Sequence, residues 1–226
     1  MIVGWDDSYS KDNFNTDLEG DGAFICQNSW GDNFGENGFF YISYYDTNIG
    51  THNVVYTDIE NTDNYDHIYQ SDLCGWVGQL GYNKDSIYGA NVFTAEGNEN
   101  LKAASFYATG KDSQYELYVV RQFEDETSLE KMIPVASGKL GNAGYYTVDF
   151  NQGIEVDAGE RYAVVLYIIT PGSVHPMAIE YAADEATENV DLDDGESYIS
   201  ANGSKWVSVD TVEKSNLCIK AFSDNR

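Results

Sequence analysis

Short apolar runs, each closed by turn residues, recur along almost the whole chain. They include 23–26, 38–45 (GFFYISYY), 53–57 (NVVYT), 87–94 (IYGANVFT), 101–108 (LKAASFYA) and 115–122 (YELYVVRQ). Further runs lie at 145–150, 161–170, 177–181, 197–200, 205–209 and 216–222. The pairs Gly97-Asn98, Gly141-Asn142 and Asn202-Gly203 separate several of them. Few stretches keep a helical period; only 124–132 is balanced between a short helix, capped by Thr127 or Ser128, and a surface loop. Many short strands at this spacing imply a mainly β chain built as a sandwich or barrel. No repeat recurs at a fixed period, which argues against a solenoid or propeller.

Charge narrows the function classes. Lys plus Arg is 12 against 38 for Asp plus Glu, a formal net charge of -26 in 226 residues. So negative a chain repels phosphate backbones and anionic lipid, which excludes nucleic-acid binding as an expectation. No apolar run is long enough to span a bilayer as a helix, and residues 1–7 do not read as a signal peptide. Abundant Asn, Asp, Gly and Tyr suit a secreted or surface protein. Cys26, Cys74 and Cys218 are an odd number at wide spacings. They signal neither a zinc cluster nor a disulfide framework, and read as separate small hydrophobes in strands.

Residues 27–39 (QNSWGDNFGENGF) carry the most specific chemistry. They resemble the asparagine segment of papain-like cysteine peptidases, N-S-W-G-x-x-W-G-x-x-G-Y. Ile2-Val3-Gly4-Trp5 resembles the strand that follows the catalytic histidine in that family. Phe34 replaces the usual Trp and Phe39 the frequent Tyr, and both keep a flat apolar body. Such an enzyme needs a thiolate, an imidazole and a group that orients the imidazole. The resemblance makes Asn28 the orienter, its side-chain oxygen accepting from a ring nitrogen, and Trp30 the indole that shields that bond. In the family pattern the catalytic His stands a few residues ahead of the Gly matched by Gly4, which puts it before Met1. The nucleophilic Cys opens a helix much further upstream. None of Cys26, Cys74 and Cys218 has that context, and His52, His67 and His175 are misplaced for the base. The chain therefore reads as the tail of a peptidase domain, lacking both reacting groups.

The remainder resembles the lectin-like domain that follows papain-type domains in bacterial surface peptidases, such as the S-layer-processing cysteine proteases of clostridia. The blocks carrying this are 65–69 (YDHIY), 75–77 (GWV), 88–93 (YGANVF), 101–107 (LKAASFY) and 217–222 (LCIKAF). The polar, aperiodic stretch 58–66 is the linker candidate. The expected architecture is thus a partial papain-like β subdomain at residues 1–60, followed by a jelly-roll-like, lectin-like β-sandwich at 61–226.

Other constellations have bland readings beside the functional ones. Residues 17–22 (DLEGDG) and 191–196 (DLDDGE) space acids as calcium loops do, but neither supplies the later bidentate Glu, so both read as solvated loops. The resemblance still implies that the sandwich can hold a structural calcium ion, its ligands not identified from the sequence. Trp76, Tyr82 and Tyr88, with Trp206, could form a platform for sugar rings. The bland alternative makes Trp76 and Trp206 core residues.

Taken together, these features imply part of a secreted or cell-surface cysteine peptidase acting on protein or peptide, catalytically incompetent alone. A glycan- or protein-binding module and a rigid spacer are the alternatives. Unpaired strand edges in residues 1–60 are expected to promote self-association.

Overall fold

A computed structural model describes residues 1–50, 54–57, 59–193, 195–209 and 213–226. The chain divides into two compact units, Met1–Thr57 and Asp58–Arg226.

The first unit is one antiparallel sheet of β1 (Ile2–Asp6), β2 (Ala23–Gln27) and β3 (Phe39–Ser43), in that order. Cys26 faces Ile2 on one side and Phe40 on the other, so the motif-bearing strand is central. A 3-10 turn at Lys11–Asn13 lies in the β1–β2 connection, capped by the Ser10 hydroxyl. Tyr9 stacks on Tyr41 with centroids 4.2 Å apart. The apolar interior is thin, with Ala23 and Cys26 buried while Ile2, Val3 and Trp5 on the edge strand are exposed.

The second unit holds β4 (His67–Tyr69), β5 (Gly78–Leu80), β6 (Ser86–Thr94), β7 (Glu99–Ala108), β8 (Ser113–Val120), β9 (Ile133–Leu140), β10 (Gly144–Val156), β11 (Arg161–Ile169), β12 (Met177–Glu180), β13 (Ser197–Ser200), β14 (Val207–Ser208), β15 (Asn216–Leu217) and β16 (Ile219–Asn225). They form a six-stranded sheet ordered β14-β13-β6-β11-β8-β9, a four-stranded sheet β10-β7-β16-β4 and a three-stranded sheet β15-β12-β5. Every pairing among the described strands of this unit is antiparallel. One core joins Ile87, Leu117, Val164 and Leu166 of the six-stranded sheet to Leu101, Phe106 and Ile219 of the four-stranded sheet. Full burial of each such side chain is worth about 2 kcal/mol. The outer face of the six-stranded sheet has its own cluster, in which Val92, Ala163 and Val165 are capped by Phe123 and Leu129.

Three expectations change in detail. Residues 54–57 carry no strand, and Asn53 lies outside the described residues. The helical stretch is a 3-10 turn at Glu126–Glu130 capped by Asp125, whose carboxylate accepts from Thr127 N–H while the Ser128 hydroxyl accepts in return. Cys74 is exposed in a turn rather than packed in a strand, because residues 72–75 reverse the chain there.

Candidate functional site

The asparagine segment is built by the end of β2 and the loop that returns as β3. Asn28 continues the ladder with its N–H on the Gly38 carbonyl, 2.9 Å. Its side-chain amide then locks the loop. Nδ2 donates to the Gly38 carbonyl at 2.9 Å and the Phe34 carbonyl at 3.4 Å, while Oδ1 accepts from the Trp30 N–H at 2.6 Å. The loop closes so tightly at Gly35, φ +64°, that a Cβ there would sit 2.1 Å from the Phe39 carbonyl oxygen.

These bonds fix which way the amide faces. An amide oxygen has two lone pairs, and Trp30 N–H occupies one. The other remains for an imidazole N–H, on a half-buried side chain whose rotation the donated bonds prevent. Trp30 is 75% exposed and meets the edge of Phe34 at 5.0 Å. The expected shield is thus in the expected segment, with its indole turned to solvent.

None of the described thiols is poised as a nucleophile. Burial pushes the Cys26 thiol up. Burial also pushes Cys218 up, with Asp72 and Glu180 adding to it. Cys74 is raised by desolvation and by Glu180. Reactive thiolates need the opposite shift. Of the histidines, His52 lies outside the described residues and His67 belongs to a different cluster. Its Nε2 lies 2.9 Å from Asn225 Oδ1 and its Nδ1 lies 3.6 Å from Glu96.

The aromatic trio expected to bind sugar is not brought together. Trp76 lies against Tyr107 at 5.7 Å, and Tyr107 alternates with core-facing Phe106, so this pair sits on the outer face of the four-stranded sheet. Tyr82 packs against the main core. Tyr88 lies on the outer face of the six-stranded sheet, stacked on Tyr167 and edge-on to Trp206.

Sequence reasoning missed a buried polar site in the second unit. Asp72 and Glu180 are both almost fully buried, and neither Asp72 oxygen has a hydrogen-bond partner among the described residues. Burial pushes the Asp72 carboxyl up to about 6, opposed by Lys220 at 3.6 Å and reinforced by Glu180. Glu180 accepts from Cys74 N–H. Asn216 Nδ2 lies among three oxygens, Ser71 O at 2.8 Å, Asp191 O at 2.8 Å and Glu180 Oε1 at 3.1 Å, although an amide has two protons to give. Two buried carboxylates against one ammonium leave excess negative charge, among several backbone and side-chain oxygens. A hard cation fits such a donor set. No cluster of three or more His, Cys, Asp or Glu suited to a metal occurs among the described residues, so carbonyl or amide oxygens would complete the coordination. The signal available in sequence was Glu180, a carboxylate at the end of the apolar run 177–180. The acidic side chains of the two loops bond within their own turns or to nearby backbone: Asp21 accepts from Lys11 N–H at 2.8 Å, and Asp191 Oδ1 from Asp193 N–H at 3.0 Å, while the Asp191 carbonyl faces Asn216. Asp194 lies outside the described residues.

Comparison with known proteins assigns both units. Residues 68–223 match the lectin-like domain family. The chain belongs to that family. Ahead of the lectin-like domain, residues 1–59 match the papain family cysteine protease. The clostridial cysteine protease Cwp84, after propeptide cleavage, aligns over 100% of this chain and 57% of its own, with 28% identity and a TM-score of 0.76. The cysteine protease and lectin-like domains of Cwp84, a surface layer associated protein of Clostridium difficile, align over 100% and 51%, with 27% identity and a TM-score of 0.76. The chain with its lectin-like domain thus spans about half the length of these structures. No curated protein matches it. No helix among the described residues is long and apolar enough to cross a membrane.

Proposed function

We propose that this chain is the asparagine-bearing part of a cell-surface cysteine peptidase, joined to an accessory lectin-like domain. The full site hydrolyses peptide bonds through an acyl-thioester, with the nucleophilic Cys and the catalytic His supplied from outside these 226 residues. The single observation carrying this is the Asn28 side chain, held by three hydrogen bonds with an acceptor lone pair to spare. An imidazole bonded there keeps one tautomer and points its other nitrogen at sulfur. The raised thiols Cys26, Cys74 and Cys218 support a nucleophile from elsewhere. The exposed edge residues Ile2, Val3 and Trp5 support a cover from the rest of the peptidase domain. Without that cover, the same edge favours self-association. Residues 1–60 would then work as peptidase and 61–226 as the accessory domain, exported to the cell surface as in the clostridial relative.

A structural calcium ion belongs to this reading, held by Asp72 and Glu180 with help from the Ser71 and Asp191 carbonyls. It supplies positive charge to the buried carboxylates and takes no part in peptide hydrolysis.

The test is Asn28→Ala and Asn28→Asp in the longer gene product. Turnover should fall in both without vanishing. Unchanged turnover in Asn28→Ala would remove Asn28 from the site.

A further inference from the structure

The six-stranded sheet carries a second surface, independent of the peptidase reading. Its outer face aligns Ser137, Glu116, Tyr167 and Tyr88 on β9, β8, β11 and β6. The neighbouring row places Lys139, Gln114 and Ile169 on β9, β8 and β11. Tyr88 stacks on Tyr167 with centroids 4.2 Å apart and planes 22° apart. Because β6 and β8 flank β11 on opposite sides, Tyr88 covers one face of the Tyr167 ring and the other looks toward β8. There it borders a depression of about 270 Å³ lined also by Gln114, Glu116, Ser137, Lys139 and Ile169.

We propose that this depression binds one ring of a neutral saccharide, stacked on Tyr167. The C–H face of a pyranose is apolar and matches an aromatic ring held rigid by its neighbour. Its hydroxyls both donate and accept. Glu116 takes the Tyr118 hydroxyl on Oε2 and has Oε1 to accept with, Lys139 donates, and Gln114 and Ser137 do both. The volume lies just below the range for drug-sized ligands, which suits a single ring. Charge excludes an anionic ligand: Lys139 is the one cation lining the depression, Glu116 lies beside it, and the chain carries a net charge of -26. Of the three aromatics expected from sequence, Tyr88 alone belongs here, as the support behind Tyr167. The site lies apart from Trp76, which stands on the other outer face.

The experiment titrates the whole chain with cellotriose, maltotriose and triacetylchitotriose, followed by calorimetry and NMR. At least one should bind with Kd of about 0.1–1 mM. Tyr167→Ala should weaken it by about tenfold or more, Glu116→Ala by several-fold, and Trp76→Ala should leave it unchanged. Glu116 is exposed, so its variant carries the test if Tyr167→Ala fails to fold. Failure of all three sugars to bind at about 10 mM would overturn the proposal. So would binding that both Tyr167→Ala and Glu116→Ala leave intact. Trilysine binding without any saccharide binding would overturn it too, making the depression a site for a cationic side chain.

Discussion

Replacing Asn91 should cost the lectin-like unit a large part of its stability. Asn91 sits on β6 between two outward residues, Ala90 and Val92, and so points into the layer between sheets. Its Nδ2 donates to the Leu217 and Ile219 carbonyls at 2.9 and 2.8 Å, and its Oδ1 accepts from the Ser197 hydroxyl at 2.8 Å. One buried amide thus ties the six-stranded sheet to β15 and β16. Asn91→Ala takes the partner from two carbonyls and one hydroxyl, all shielded from water. At about 1 kcal/mol or more for each buried group, the loss is about 3 kcal/mol. That is a sizeable share of the roughly 5–15 kcal/mol that stabilises a domain. Asn91→Asp should be worse, because a carboxylate would face both carbonyls with nothing to donate. The assay is urea unfolding followed by far-UV circular dichroism, comparing midpoints at constant slope. A loss below about 1 kcal/mol for Asn91→Ala would show that the two layers are held by apolar packing alone.

Calcium at about a hundred times its Kd should stabilise the lectin-like unit by about 2.7 kcal/mol in thermal unfolding, and Glu180→Gln should abolish the gain. An identical transition in calcium and in chelator would remove the ion from the account. His67 gives a pH dependence. Its hydrogen bond to Asn225 raises its pKa against partial desolvation, helped by Glu99, Glu96 and Asp66. A raised histidine stabilises the fold fully below its unfolded pKa of about 6.5, and that contribution disappears as pH rises through the folded value. Melting temperature should therefore fall on going from about pH 6 to pH 8, and less steeply in His67→Gln. Equal slopes would refute the linkage.

What the sequence revealed follows from what is local. β6, β8 and β11 alternate strongly or run apolar, so their existence could be read directly. β4 and β5 have three residues each and no room for a pattern. β9 contains Pro134 and Gly138, which discourage a strand reading, yet it forms the edge of its sheet, where a missing N–H is tolerated. Asn28 was legible because the loop that locks it is contiguous, from Asn28 to Gly38. The carboxylate cluster was not, because register alone assembles Asp72, Glu180 and Asn216 from distant segments. Nor could the Tyr167 depression be read, since its walls come from β8, β9 and β11. The Trp76, Tyr82 and Tyr88 grouping shows the same limit in reverse: three aromatics near in sequence point to different faces.

The most direct test of the central claim is peptide hydrolysis by these 226 residues alone. Fluorogenic peptides with basic and apolar residues at the cleavage-directing positions, together with an epoxide-type cysteine-peptidase inhibitor, supply the readout. Asn28 can aim an imidazole but cannot attack a carbonyl, and the described thiols are all raised away from thiolate character. The account predicts no turnover and no inhibitor label, while exposed Cys74 still reacts with a general alkylating agent. Inhibitor-sensitive turnover with a single labelled cysteine would contradict it.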